Sequence, residues 1–397
     1  MVDRIEQIVL ILNNMRNYSK IFKTSQIHVG SISAFTFLLI VCLGIEFQAC
    51  TSKPAVKKQN IADANDTIQL HRFFSETSFW NQPLPENPEI DPQSNHFVEL
   101  MKTEPTGAFF KINLVAWTIP VYEVNDSTPR YKIQLHHLSA LEKKRWNTTR
   151  ETFGHGKEFE AEPVPIPMDA QADPQEDAHC ALVDWKNRVA WDMWGLTKNT
   201  DGSWTSNTGM KYSLDGEGVF AARDFGMLDG ESVHYYGPSR AAGVPAIAGL
   251  IMYDEVQKGE INHKLACATR MNAYKEHVFP AIWTDGFIVG GIPEGAIIQL
   301  DPQLDLTKFK LQPGELAVAR ALQKYGMVVT DIAGANTLYG EGLWGHPGKS
   351  WNGILREIVG GISSIPIENY RVLKINNRVN KGDSYTKILN DAGHWPN

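Results

Sequence analysis

The stretch Leu250 to Ala266 reads LIMYDEVQKGEINHKLA, and its pattern decides the expected fold. Apolar and polar residues alternate with period two on both sides of Lys258-Gly259, a dipeptide that suits a tight turn. The alternation predicts two antiparallel strands joined by that turn. Because successive side chains of a strand point to opposite faces, His263 would lie in the middle of an apolar face.

The length of the turn decides which carboxylate meets His263. A two-residue turn places Asp254 opposite the imidazole. A three-residue turn closed by Gly259 in the left-handed conformation places Tyr253 opposite it and makes Glu255 the diagonal neighbour. A carboxylate on an apolar face is costly unless it is paired or used. We therefore take Asp254, Glu255 and His263 as candidate catalytic residues for acid–base chemistry.

A second hairpin is predicted between His179 and Trp194. Its register sets Ala181 opposite Asp192 and His179 opposite Trp194, so these side chains share one face with small residues. A histidine, a carboxylate and a tryptophan around alanines could line a sugar cleft. A solvent-facing sheet with one charged pair is the equally weighted alternative. His179 and Asp192 join the catalytic candidates, and Trp194 becomes a candidate stacking platform.

Three further residues extend the candidate substrate-binding set. Tyr236 and Arg240 lie in the run HYYGPSRAAG at 234–243, where small residues allow close backbone approach. Arg240 could bind a carboxylate or sulfate of a substrate, or it could form a structural ion pair. Trp283 could stack on a sugar ring. In a lyase reaction, Tyr236 would be a candidate base and Arg240 would neutralise a uronate.

Composition narrows the class of protein. The 397 residues are 43% hydrophobic and 21% charged, as in a soluble globular protein. The formal net charge of −7, without a basic stripe, argues against nucleic acid as a partner. Cys180 and Cys267 are expected to be buried free thiols, with a single disulfide as the alternative. No zinc-ligand spacing occurs, so we expect no metal site and no cofactor, while a structural calcium ion stays open.

The N-terminal part predicts export, with a signal over residues 1–49. The apolar run ISAFTFLLIVCLGI at 32–45 follows basic residues and is too short to be a comfortable membrane span. Met15 is an alternative start for this signal. The residues FQAC at 47–50 resemble a bacterial lipobox, which makes Cys50 the expected lipidation site. Residues 50–69 would then tether a domain at 70–397 to the bacterial cell envelope through a lipid anchor.

Short strands, frequent turns and few helices predict a mainly β protein. The expected fold is a single antiparallel β-sandwich or jelly-roll-like domain. Two helices, at 92–102 and 314–325, would pack outside the sheets. The second has Pro313 near its start and Gly326 at its end, the usual positions of these residues around a helix.

Five local motifs lie between Phe74 and Val372: S-x-A-A-G-x-P at 239–245, Y-D-E-V-x-x-G-x-I-x-H at 253–263, P-A at 280–281, P-x-G at 293–295 and A-L-x-K-Y-G-M at 321–327. In these motifs the chain resembles a group of secreted, β-rich bacterial exoproteins that handle polysaccharides and sometimes carry sugar-binding modules. The resemblance implies export, a β-rich fold and an acidic residue at Asp192. It implies no particular reaction, so no catalytic role is taken from it.

The leading hypothesis is an exported enzyme that cleaves an extracellular polysaccharide, as a glycoside hydrolase or a uronate lyase. A glycoside hydrolase needs two carboxyl groups across a cleft. The candidates are Asp184, Asp192, Asp254 and Glu255. The hypothesis requires the faces that bear His179 and His263 to line one groove. The main alternative is a non-catalytic cell-surface lipoprotein that binds glycans, and a structural envelope protein is the third hypothesis.

Overall fold

The computed structural model describes residues 71–145, 151–220 and 240–380. These residues belong to one compact unit, Ala64–Asn397. They form a mainly β protein with few helices, as the sequence predicts. Across these three ranges, no helix combines the length and the apolar character needed to cross a membrane. The predicted signal, the tether and Cys50 lie outside the described residues.

The α-helices in these ranges are α1 (Ser94–Lys102), α2 (Ala140–Arg145), α3 (Lys157–Glu160), α4 (Tyr253–Lys258) and α5 (Pro313–Lys324). Short 3₁₀ helices occur at Leu306–Phe309, Gly361–Ser364 and Ile367–Asn369. The first ten strands are β1 (Lys111–Asn113), β2 (Ile119–Glu123), β3 (Arg130–Tyr131), β4 (Ile133–Leu135), β5 (Gly154–His155), β6 (Val164–Pro165), β7 (Cys180–Asp184), β8 (Val189–Trp194), β9 (Thr197–Lys198) and β10 (Trp204–Ser206). The others are β11 (Thr208–Ser213), β12 (Leu265–Ala268), β13 (Asn272–His277), β14 (Ile292–Glu294), β15 (Ile297–Leu300), β16 (Met327–Asp331), β17 (Thr337–Tyr339), β18 (Glu341–Gly342), β19 (Tyr370–Val372) and β20 (Val379–Asn380).

Helices α1 and α5 confirm the two predicted helices. The α5 N-terminus is stabilised by Glu315, whose carboxylate accepts a hydrogen bond from the backbone N–H of Gln312 at 2.8 Å. The helix ends just before Gly326, which has the left-handed conformation with φ +72°. Both helices bury apolar side chains, such as Met101 and Leu322, in the same core cluster as one of the sheets.

The hairpin predicted over residues 250–266 is wrong. Its first arm is helix α4, which ends at Gly259 in the left-handed conformation (φ 77°). Of its second arm, only Leu265 and Ala266 lie in a strand, β12, and His263 lies in the loop before it. Over six residues the alternating pattern also fits a short helix with Val256 buried, and a glycine that suits a hairpin turn equally ends a helix.

Most of the strands form two six-stranded sheets. Sheet I has the order β1-β17-β12-β16-β15-β19, and sheet II has the order β18-β2-β7-β8-β11-β5. The expectation of purely antiparallel sheets is wrong. The pairs β1–β17 and β12–β16 are parallel in sheet I, and β18–β2, β2–β7 and β11–β5 are parallel in sheet II. Parallel neighbours need crossover connections, and the period of a strand does not reveal which strand it pairs with.

The buried apolar residues form three core clusters, and neighbouring residues of one strand belong to different clusters. In β12, Leu265 packs with α1 and α5, whereas Ala266 joins the cluster that also contains residues of sheet II. In β7, Val183 belongs to that shared cluster, whereas Leu182 packs on the opposite face with Trp191. The period of two therefore directs alternate residues of each strand into different layers.

The hairpin predicted between residues 179 and 194 is confirmed as β7 and β8. Ala181 lies opposite Asp192, as expected. The ladder begins at Cys180 and Met193, one residue inside the predicted His179 and Trp194 pair. Trp194 instead lies opposite Thr208 of β11.

Residues 240–250, called the inter-sheet segment, are irregular and largely buried in the cluster shared by the two sheets. The segment contributes small and branched apolar side chains such as Ala242, Val244 and Ile247. Buried backbone without regular structure must find hydrogen bonds elsewhere. Backbone groups supply several of them, such as the Thr330 carbonyl that accepts the Ala242 N–H, and two side chains bind Ala246, as described below.

Candidate active site

Asp192 and Arg240 bind the backbone N–H and the backbone carbonyl of one buried residue of the inter-sheet segment, Ala246. Asp192 Oδ2 accepts the N–H of Ala246 at 2.6 Å, and its Oδ1 accepts the hydroxyl of Tyr212 at 2.8 Å. Arg240 donates to the Ala246 carbonyl through Nε at 3.2 Å and Nη2 at 3.0 Å. Its guanidinium also lies 4.1 Å from the centre of the Tyr339 ring. This geometry favours a structural role for both residues, because their side chains hold buried backbone groups in place.

Carboxyl groups from distant parts of the chain gather beside Arg240. Glu294 ends strand β14, Asp331 ends β16, and Asp285 lies in the loop between β13 and β14. Asn272 of β13 connects them, because its Nδ2 donates to Glu294 Oε1 and to the Asp331 carbonyl, each at 2.7 Å. Asp177 precedes β7 and interacts electrostatically with Asp285 and Asp331. These four acidic residues are called the carboxyl cluster.

Glycines allow the backbone to hold this arrangement. A Cβ at Gly295 would lie 1.7 Å from the Val278 carbonyl oxygen, and its φ is +90°. A Cβ at Gly286 would lie 2.4 Å from the Ala273 carbonyl oxygen. Each glycine directly follows a cluster acid, so the close approach that only glycine permits places Glu294 and Asp285 against β13.

Asp285 and Glu294 form a carboxyl–carboxylate pair. Their carboxyl groups interact directly, and two adjacent buried carboxylates repel each other when both are ionised, which favours a proton on one of them. Asp285 is 7% exposed and Glu294 is fully buried. Burial raises the pKa of Asp285 to about 6. Burial and the neighbouring Asp285 raise the pKa of Glu294 well above its ordinary value, which favours the neutral form of Glu294.

Asp331 is another carboxyl group of the cluster and lies nearer to solvent. It is half-buried, and burial followed by repulsion from Asp285 and Asp177 raises its pKa well above the ordinary value. The nearby Arg240 opposes this rise. Asp177 is also half-buried and accepts a hydrogen bond from Trp194 Nε1 at 3.4 Å. The cluster thus combines neutral acids with ionisable carboxylates, the pairing that acid–base catalysis needs.

His179 lies at the edge of the carboxyl cluster. It is 7% exposed, and burial lowers its pKa to about 4, although Asp177 opposes the shift. The imidazole is therefore neutral at pH 7. Its Nδ1 has no hydrogen-bond partner within the described residues.

His263 lies in a different place, in a pocket of about 210 Å³ that His179 does not line. His263 Nδ1 lies 2.8 Å from the carbonyl oxygen of Lys264, and its Nε2 lies 3.0 Å from Glu255 Oε2. Both partners act as acceptors, so both ring nitrogens donate and His263 is protonated. The predicted approach of Glu255 to His263 thus occurs, but between a helix and a loop. The pocket that His263 lines does not include His179, so it does not join the two histidines as expected.

This pair makes stability depend on pH. Burial opposes the charge, but Glu255 and the Lys264 carbonyl together raise the pKa of His263 above its ordinary value of 6.5, against a smaller opposing effect of Arg72. A raised folded-state pKa gives stability that is complete below pH 6.5 and is lost as pH rises through the folded value. Between pH 6 and pH 9, the free energy of unfolding of wild type, measured with urea, is expected to fall by about 1–3 kcal/mol more than that of Glu255→Gln. An equal pH dependence of the free energy of unfolding in the two proteins would contradict the pairing.

The other candidates from the sequence have separate positions. Asp254 forms an ion pair with Lys349 at 3.1 Å and does not meet His263. Trp283 is 1% exposed, so its ring is not an open stacking platform. Tyr236 lies outside the described residues. Cys180 and Cys267 are buried free thiols, as expected.

All four acids of the carboxyl cluster were missed as site residues in the sequence. Three of them carried a local signal: Asp285 stands before Gly286, Glu294 stands before Gly295, and Asp331 ends an apolar strand. Polar residues at strand ends and beside glycines often belong to sites. Within the described ranges, no group of three or more histidine, cysteine, aspartate or glutamate residues has the arrangement of a metal site.

Comparison with family models, curated proteins and solved structures finds no match to this chain.

Proposed function

We propose that the protein cleaves an extracellular polysaccharide by acid–base catalysis at the carboxyl cluster. The observation that carries the proposal is the gathering of the buried Asp285 and Glu294 beside the half-buried Asp331, with Asn272 bonded to the Glu294 carboxylate and to the Asp331 carbonyl. Glycoside hydrolases need one carboxyl group that is protonated and a neighbouring one that is ionised, and different surroundings of the two groups produce that difference. The half-buried Asp331 and Asp177 give the cluster a path to solvent.

Each cluster residue has a distinct role in this proposal. Asp331 is the general acid and gives its proton to the glycosidic oxygen as the bond to the anomeric carbon breaks. Asp285, mostly ionised at pH 7, stabilises the positive charge that develops on the sugar and serves as base or nucleophile. Glu294 is a positioning residue, because its proton holds the Asp285 carboxylate in place.

The test is incubation of the full chain with a panel of neutral and acidic polysaccharides. Release of reducing ends without ultraviolet-absorbing unsaturated ends is the expected result. Unsaturated ends would indicate a lyase and remove the hydrolytic roles given above. Polymer affinity with no turnover on any member of the panel would favour the non-catalytic glycan-binding lipoprotein.

We also propose that the protein is exported to the bacterial cell envelope and anchored there by a lipid on Cys50. The short apolar run and the lipobox-like residues before Cys50 support this location. Cys50→Ser is expected to abolish incorporation of labelled palmitate and to release the protein from the membrane fraction. Cys42→Ser, in the apolar run, is the matched control and is expected to keep the label. Labelling that survives Cys50→Ser would exclude this anchor.

The two-sheet sandwich is the form of the fold that we propose. Buried residues of sheet II, such as Ala181 and Ala190, share a core cluster with residues of sheet I, such as Ala266 and Val328. A common core between facing sheets is the defining feature of a sandwich. An experimental structure in which these two sheets do not face each other would exclude it.

A further inference from the structure

The pocket at His263 is separate from the carboxyl cluster. It lies beside the C-terminal end of α4 and the start of the described chain, and its walls include Arg72, Phe73, Lys258 and Asn262. None of the four cluster acids lines it. Its volume of about 210 Å³ suits a molecule the size of a monosaccharide more than a polymer chain.

The pocket carries an excess of positive charge. Glu255 is neutralised by the His263 imidazolium at 3.0 Å. Arg72 and Lys258 are both exposed, and within the described residues neither side chain makes a hydrogen bond or an ion pair. Two cations without a fixed counter-charge favour an anionic ligand, and a guanidinium binds a carboxylate with two parallel hydrogen bonds.

The remaining walls suit a ring that bears hydroxyl groups. Asn262 Oδ1 accepts a hydrogen bond from the Tyr325 hydroxyl at 3.3 Å, which leaves its amide N–H groups available to donate. Asn81 donates from Nδ2 to the backbone and keeps its carbonyl oxygen as an acceptor. Phe73 is half-buried and presents an apolar surface that can cover the C–H face of a sugar.

We propose that this pocket binds an acidic sugar of the uronic acid class. The sugar carboxylate pairs with Arg72 and Lys258, its hydroxyl groups bond to Asn262 and Asn81, and its ring packs on Phe73. The assignment goes beyond the proposed cleavage and does not depend on it, because binding here needs no residue of the carboxyl cluster.

Isothermal titration of the full chain with glucuronate tests the assignment, with glucose and acetate as comparison ligands. We expect saturable glucuronate binding with Kd of about 1 mM, and binding of glucose and acetate at least tenfold weaker. Arg72→Gln should weaken glucuronate binding at least tenfold. The matched control is Arg130→Gln, another exposed arginine outside the pocket, which should bind as wild type does.

Three results would overturn the assignment. These are equal binding of glucose and glucuronate, equal binding of acetate and glucuronate, or equal loss in Arg72→Gln and Arg130→Gln. Asp285→Asn is expected to bind glucuronate normally. Reducing-end release therefore tests the cleavage proposal, and isothermal titration tests this binding site, so that either proposal can fail without the other.

Discussion

Asp285→Asn is expected to lower kcat for polysaccharide cleavage by about 10²–10⁴-fold, the usual contribution of an acid–base residue. The substitution keeps the size of the side chain but removes the carboxylate that would face the reacting sugar. Asp201→Asn is the matched control, because Asp201 is an exposed turn residue and should leave kcat unchanged. Initial rates of reducing-end release on the best substrate of the panel measure both variants. Equal rates for Asp285→Asn and Asp201→Asn would remove Asp285 from the mechanism.

The pH dependence of kcat/KM is a second test of the role of Asp285. Because burial raises the pKa of Asp285 to about 6, its ionised form is lost as pH falls below about 6. The acidic limb of kcat/KM should therefore fall near pH 6, well above the range of an ordinary aspartate. An acidic limb near pH 4 would contradict the role given to Asp285.

Two substitutions of Glu294 distinguish a positioning role from a purely structural one. Glu294→Gln keeps a donor toward Asp285, since an amide N–H can replace the carboxylic O–H. Glu294→Ala removes that donor and leaves space in a buried site. Glu294→Gln should therefore retain far more activity than Glu294→Ala, with the acidic limb kept close to that of wild type. Equal loss in the two variants, in proteins of equal stability, would contradict the positioning role.

Asp192→Ala is expected to destabilise the protein by about 3–5 kcal/mol, the second large effect. The change leaves the Ala246 N–H and the Tyr212 hydroxyl without their acceptor, and it removes one of the acidic groups near the buried Arg240 guanidinium. Urea unfolding followed by circular dichroism measures the loss. Asp201→Ala should change the free energy of unfolding by less than about 0.5 kcal/mol.

Asp192→Asn keeps the test valid if the alanine variant does not fold. The amide keeps one acceptor oxygen, so a smaller loss of about 1–3 kcal/mol is expected, with kcat retained. A stable Asp192→Asn protein with abolished turnover would restore Asp192 as a catalytic residue, as the sequence suggested.

Sequence patterns predicted the structure correctly where that structure depends on residues close together in the chain. The register of Ala181 against Asp192 follows from a short connection between two strands, so it could be predicted. Helix α5 follows from a proline at its start and a glycine at its end. The error at residues 250–266 has the same origin, because six residues do not distinguish a short helix from a strand when Gly259 suits both.

The carboxyl cluster could not be found in this way. Asp177, Asp285 and Asp331 are more than forty residues apart from one another in the chain. They meet because β13 pairs in parallel with β14 and because β16 ends beside Asn272. Pairing between distant strands depends on the connections and on the whole core, which no local period records.

The sequence alone determined the β-rich class, two of the helices, one hairpin register and the two buried thiols. Tertiary structure alone decided that Asp192 stabilises a buried backbone, that His263 lies in a separate pocket, and that four acids far apart in the chain gather in one cluster. The physical reason is the range of the interactions. Periodicity and capping act within a few residues, whereas burial and charge pairing depend on the groups that folding brings into contact.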